Sequence, residues 1–306
     1  MLNLIKKEKD ISEEIDLWTK RIDKGEFPPI DHEVPTEQMY ETLMQKIRKS
    51  KSQKIKVWGM RVAAVMIPLV FFLSGYIWQD LADQFGEVAT TDYYVEKGES
   101  MNLLLQDGTR VKLNSDTKIS CPVKFRRGLR EVTVEGEAFF EVAADKKSPF
   151  LVHAGDLVVK VYGTSFNVKS FPESDHVEVA LESGVVQLYA KDAPEDSGVR
   201  LRTGDVGCFS KKEQRINRYK TDEIDSYSSW KENKIVFKNK SLEEVFYSLS
   251  RKYDFSFELK DIAGDEFTYS MTVEDQSLEE ILRNMQLITP LRLKNENNKI
   301  IVSKRK

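Results

Sequence analysis

A multidomain membrane protein is predicted by three features of this 306-residue sequence. Eighteen residues from Val62 to Gln79 carry no charge, short alternating strands begin near Tyr93, and one helix-start motif occurs twice near the C-terminus. They divide the chain into a short α-helical segment over 1–57, one transmembrane helix over 58–79 and a linker over 80–91. An all-β domain, sandwich or irregular barrel, follows over 92–215, then a linker over 216–229 and a C-terminal α+β domain of βαβ-βαβ layout over 230–306.

In the first segment, Ile11, Ile15, Trp18 and Ile22 recur at helical spacing before Gly25 and Pro28-Pro29. A second helix is predicted from Thr36, with Tyr40, Leu43, Met44 and Ile47 on its apolar face and no Gly or Pro before Trp58. Two such short helices exclude little surface from water on their own. Two readings stand: the stripes meet a partner, with Trp18, Ile22, Tyr40, Leu43 and Ile47 as its contact face, or they pack on each other.

The uncharged run is long enough, at about 1.5 Å per residue, to cross most of a roughly 30 Å hydrocarbon layer. Trp58 and Trp78 stand where interfacial aromatics belong, Arg61 marks one edge, and Pro68 removes a backbone donor in mid-span. Seven Lys and Arg precede the run between 46 and 61, and Asp80, Asp83 and Glu87 follow it. This asymmetry predicts a single-pass inner-membrane protein with a cytoplasmic N-terminus and an exported remainder, the basic flank lying on lipid. A net charge of −3 gives no global nucleic-acid footprint. Cys121 and Cys208 both fall on the exported side, where a disulfide or two free thiols are open.

Within the β region, Met101, Leu103 and Leu105 alternate before Asp107-Gly108, and Val111 and Leu113 after it, which predicts a hairpin with a type I′ turn. Further strands are predicted over 132–134, 138–142, 157–161, 177–181 and 185–188, punctuated by Gly136, Gly155, Gly163, Gly184 and Gly204. Glu135, Glu137 and Glu141 share one strand face and read as a solvated stripe rather than a catalytic group. Gly163-Thr164-Ser165 reads as a turn, since it lacks the flanking glycines of a nucleophile elbow and neither His153 nor His176 stands in a motif with it. The histidines and cysteines show no metal-ligand spacing, and no phosphate loop occurs. No enzyme activity, cofactor or metal is predicted.

Seven strings, taken in order, resemble the periplasmic domain of FecR-type anti-sigma regulators. They are YYVEKGE at 93–99, LQDGTRVKLNS at 105–115, VEGEAFFEV at 134–142, SPFLV at 148–152, VYGTSFNV at 161–168, ALESGVVQL at 180–188 and LRTGD at 201–205. Beyond them Ser241-Leu242-Glu243-Glu244 recurs as Ser277-Leu278-Glu279-Glu280, each a capping box. Leu242, Val245, Phe246 and Leu249 match Leu278, Ile281, Leu282 and Met285 as apolar faces, with strands on either side. This layout resembles the C-terminal domain of the Bacteroidetes branch of that family, itself similar to the signalling domain of TonB-dependent transducers and secretins. Lys299 and Lys304-Arg305-Lys306 read as charges that blunt a sheet edge.

The resemblance implies a relay. The signalling domain of a TonB-dependent outer-membrane transducer touches the exported part, and the N-terminal segment then releases or activates an extracytoplasmic-function sigma factor that controls uptake of iron-siderophores or glycans. It also implies release by envelope and intramembrane proteases; Pro68, which weakens the helix by removing a backbone donor, is expected to favour the cut. The N-terminal segment carries no zinc-binding or leucine-rich signature of a sigma-binding fold, so sigma binding follows from the remainder of the chain. The alternative is a membrane-anchored scaffold or ligand-binding module without sigma control.

Overall fold

The computed structural model describes residues 16–17, 19–25, 36–85 and 89–305, with side chains left out at 36–39, 50–59, 61–63 and 79–85. The chain divides into two units, Met1–Trp78 and Gln79–Lys306. In the first, residues 16–17 and 19–23 are helical, and Gly25 closes that turn by donating to the Ile22 carbonyl oxygen at 3.0 Å. Ile11, Ile15 and Trp18 lie outside the described residues. Helix α1 runs unbroken from Thr36 to Phe85, through Pro68.

Among the described residues, no helix is long and apolar enough to cross a membrane. This corrects the transmembrane helix expected over 58–79. Helix α1 extends past the uncharged run on both sides, so that run is one part of a 50-residue helix whose flanks are charged. The anchor roles expected of Trp58, Arg61, Pro68 and Trp78 rested on that span.

The second unit holds two cores. The larger belongs to thirteen strands in two sheets that share one member, β5 (Arg130–Glu141). One sheet runs β11 (Val199–Arg202), β10 (Val185–Ala190), β7 (Leu157–Val161), β6 (Phe150–Ala154), the first half of β5, β4 (Thr117–Pro122) and β1 (Thr90–Val95). The other runs β2 (Met101–Leu104), β3 (Arg110–Leu113), the second half of β5, β8 (Ser165–Ser170), β9 (His176–Ser183), β12 (Asp205–Ser210) and β13 (Arg215–Lys220). Phe140 of β5 stacks on Phe166 of β8 with ring centroids 5.2 Å apart and tilts against Phe150 of β6 at 6.3 Å. Both sheets thus close on one aromatic centre.

A single strand serves two sheets because it bends at Gly136. Residues 130–133 pair with β6 and 136–141 with β8. Gly136 has φ +117°, and a Cβ there would lie 2.5 Å from Thr117 Oγ1. The sequence reading placed this glycine between two strands, whereas it is the hinge of one. The bend also makes the parallel pairing of β5 with β6 possible, since a parallel pair needs a connection that returns to its starting end.

The hairpin of β2 and β3 forms in register, Met101 opposite Leu113. Its turn differs from the expected type I′, because Gly108 takes positive φ (+86°) and Asp107 does not. Gly108 instead donates to the Leu105 carbonyl oxygen at 3.0 Å, and Asp107 accepts from the Thr109 N–H at 3.0 Å and hydroxyl at 2.7 Å. This is the longer hairpin loop with one left-handed glycine. Cys121 on β4 and Cys208 on β12 are free thiols in different sheets.

The smaller core belongs to the repeat. Helices α2 (Leu242–Lys252) and α3 (Leu278–Ile288) each begin with a complete capping box. β14 (Lys234–Ser241) pairs antiparallel with β16 (Thr268–Glu274), while β18 (Lys299–Lys304) lies between β15 (Ser256–Lys260) and β17 (Leu291–Glu296). The predicted element order is present, but the strands form two small sheets, each joining one copy of the repeat to the other. β18 is therefore central, and Lys299 and Lys304 do not blunt an edge: they pair with Glu258 at 2.6 Å and Glu266 at 2.5 Å.

Candidate functional site

On α1, Tyr40, Leu43, Met44 and Ile47 stand at i, i+3, i+4 and i+7, so they share one face. Each is about half exposed or more, from 49% at Met44 to 66% at Tyr40, and Ile22 on the preceding helical segment is 55% exposed. Trp18, the remaining member of the expected contact face, lies outside the described residues. An apolar stripe at this spacing is the form in which a helix presents itself to a partner groove. Further along, Pro68 is exposed within the helix, as is Trp78 at 76%, and the side chains of Trp58 and Arg61 lie outside those described.

In the second unit, a polar network is built on the outer face of β5. Glu137 is buried, not solvated, while Glu135 and Glu141 on the same strand are exposed. Its carboxylate accepts from Asn114 Nδ2 at 2.8 Å and Asn167 Nδ2 at 3.0 Å. Asn167 in turn accepts from Trp230 Nε1 at 3.1 Å. Next along the strand, Phe139 is covered by the Lys231 ammonium, 3.3 Å from its ring centre, and Lys231 pairs with Glu182 at 3.2 Å. Residues 228–232 thus lie across β5 and link the two cores.

A second link comes from the last turn of α2. Arg251 is 7% exposed, pairs with Glu173 and stacks its guanidinium 3.7 Å over Phe171. Burial lowers its pKa, which Glu173 opposes. Its carbonyl oxygen accepts from the Gly98 N–H at 2.8 Å. Near the same surface, Tyr219 and Tyr227 share a hydrogen bond at 3.0 Å, and burial, as its largest cause, raises the pKa of each. Among the described residues no cluster of His, Cys, Asp and Glu could hold a metal ion.

The FecR protein family model matches residues 91–187, and the family's C-terminal model matches 234–302, together more than half of the chain. The chain belongs to the FecR family. Two crystal structures of a candidate anti-sigma factor from Parabacteroides distasonis, at 1.65 and 2.50 Å, resemble this FecR chain with TM-scores of 0.65 and 0.66. Each is 28% identical to it, covering 71% of this chain and all of the other. No curated protein matches the chain. Family and neighbour support an anti-sigma regulatory role, and the family is regulatory rather than enzymatic.

The network around Glu137 escaped the sequence reading because alternation along a strand tells which residues share a face, not whether a second domain covers it. One signal pointed inward: Ala138, Phe139 and Phe140 are consecutive apolar residues, too many for a strand with one wet face.

Proposed function

We propose that this FecR-family protein binds an extracytoplasmic-function sigma factor through the apolar stripe of α1, Tyr40, Leu43 and Ile47, together with Trp18 and Ile22. The unit over 79–306 receives the controlling signal from the signalling domain of a TonB-dependent outer-membrane transducer, and the outcome is transcription of nutrient-uptake genes. The stripe carries this reading: large apolar side chains at helical spacing stay half exposed in a chain of an anti-sigma family.

Burying each such side chain against a partner contributes about 1.5–3 kcal/mol. The full chain carrying Leu43→Asp and Ile47→Asp should therefore bind the sigma factor more than about tenfold more weakly in a titration. Unchanged affinity would remove the stripe as the contact face. Adding the transducer's signalling domain should alter the amount of sigma factor retained by the full chain; a constant amount would remove that part of the relay.

A further inference from the structure

Between the two cores of the second unit lies a cavity of about 550 Å³, within the range in which proteins enclose small ligands. Eight cationic side chains and three carboxylates line it, in a chain whose net charge is −3. The carboxylates are largely committed: Glu137 to two amides, and Glu178 to Lys240 at 3.8 Å. Most of the cations are committed too, including Lys231 to Glu182 and Lys234 to Glu274.

Three half-buried lysines make no direct ion pair among the described residues. Lys112 donates to the Lys231 carbonyl oxygen at 2.6 Å, Lys252 donates to Asn233, and Lys169 stands in register with Glu137 and Glu178 on the neighbouring strands without a direct ion pair to either. Burial lowers the pKa of Lys252, and Asp275 opposes that shift. Lys112 and Lys169 come from β3 and β8, the two strands that flank the second half of β5, and Lys252 ends α2 of the other core. Charge withdrawn from water is costly unless a counter-charge meets it.

We propose that this cavity binds a small polyanion, a molecule with two or more carboxylate or phosphate groups, whose charges meet Lys112, Lys169 and Lys252. Because these lysines belong to both cores, the ligand bridges them. The site is independent of the sigma-binding stripe and stands or falls without it.

Titration calorimetry of the full chain at low salt, with inorganic pyrophosphate and separately with propane-1,2,3-tricarboxylate, tests the site. At least one probe should bind with one-to-one stoichiometry, more weakly as salt rises, and should raise the unfolding temperature. Which probe binds distinguishes a phosphate ligand from a carboxylate one. The double variant Lys169→Gln/Lys252→Gln should bind at least about tenfold more weakly while keeping the wild-type unfolding midpoint without ligand. Lys294→Gln, whose side chain is exposed on β17, should bind as the wild type does. If that midpoint falls, Lys169→Arg, which keeps the charge, decides the matter by retaining affinity. No heat from either probe up to about 10 mM, or equal affinity in the double variant, overturns the proposal.

Discussion

Glu137 shows what a single buried carboxylate requires. Both oxygens are taken by side-chain amides, and one of those amides holds the indole of Trp230. Removing the acceptor leaves two largely shielded amide donors without their partner, at about 1–3 kcal/mol per stranded group. Glu137→Ala should therefore lower the urea unfolding midpoint by the equivalent of about 2–4 kcal/mol. Glu135→Ala, on the exposed part of the same strand, should stay within about 0.5 kcal/mol of wild type. Equal effects at the two sites would sink the distinction. A second buried charge sets a larger effect. Arg130, 7% exposed in its side chain, meets Asp107 at 2.8 Å and donates to the carbonyl oxygens of Ala143 and Ser148. Asp107→Ala leaves that guanidinium without its counter-ion and should cost about 3–5 kcal/mol, read from the same unfolding curves. Asp107 was legible as a turn residue. Its ion pair was not, because Arg130 is 23 residues away and joins it only through the fold.

At the scale of elements, local chemistry was legible and pairing was not. Both capping boxes could be read because all their partners lie within three residues, and each forms both hydrogen bonds, such as the Glu244 N–H to Ser241 Oγ at 3.2 Å and the Ser241 N–H to Glu244 at 2.9 Å. Ser241→Ala and Ser277→Ala should each cost about 1 kcal/mol. The carboxyl of Glu244 also gives the first box a pH dependence. Burial pushes its pKa up, but the Ser241 N–H and Lys240 together bring it below the ordinary value. A group lowered in the folded state contributes stability above its unfolded pKa and loses it as pH falls through the folded one. The penalty of Glu244→Ala should accordingly be full at pH 7 and shrink below about pH 4; a penalty constant across that range would contradict the charge's role. By contrast, the pairing of β14 with β16 and of β15 with β18 joins separate copies of the repeat. Periodicity within each copy carries no information about such partners. The bend of β5 was hidden for a related reason: Gly136 is an ordinary strand-breaking signal until Thr117 is seen against it.

For the whole molecule, the sequence contained the family strings and the helical stripe, while the union of the two cores of the second unit lay beyond it. Trp230 and Lys231 open the C-terminal domain just after the predicted linker and Arg251 stands near a helix end, yet they carry the contacts between those cores. The uncharged run over 62–79 likewise suggested a membrane crossing, whereas among the described residues no helix is long and apolar enough to make one. The domain union makes a prediction about cooperativity. Arg251 contributes an ion pair and a guanidinium stacked on Phe171, and a desolvated cation–π contact contributes about 2 kcal/mol. If these contacts couple the cores, the wild-type unit should melt in one transition with equal calorimetric and van't Hoff enthalpies. Arg251→Ala should then split it into two, with the smaller core melting first because its buried surface is less. Arg251→Lys should restore little, since an ammonium keeps the charge but lacks the planar face that lies on the ring. A single unshifted transition in the alanine variant would show that Arg251 does not couple the cores, and would leave Trp230 and Lys231 as the contacts that do.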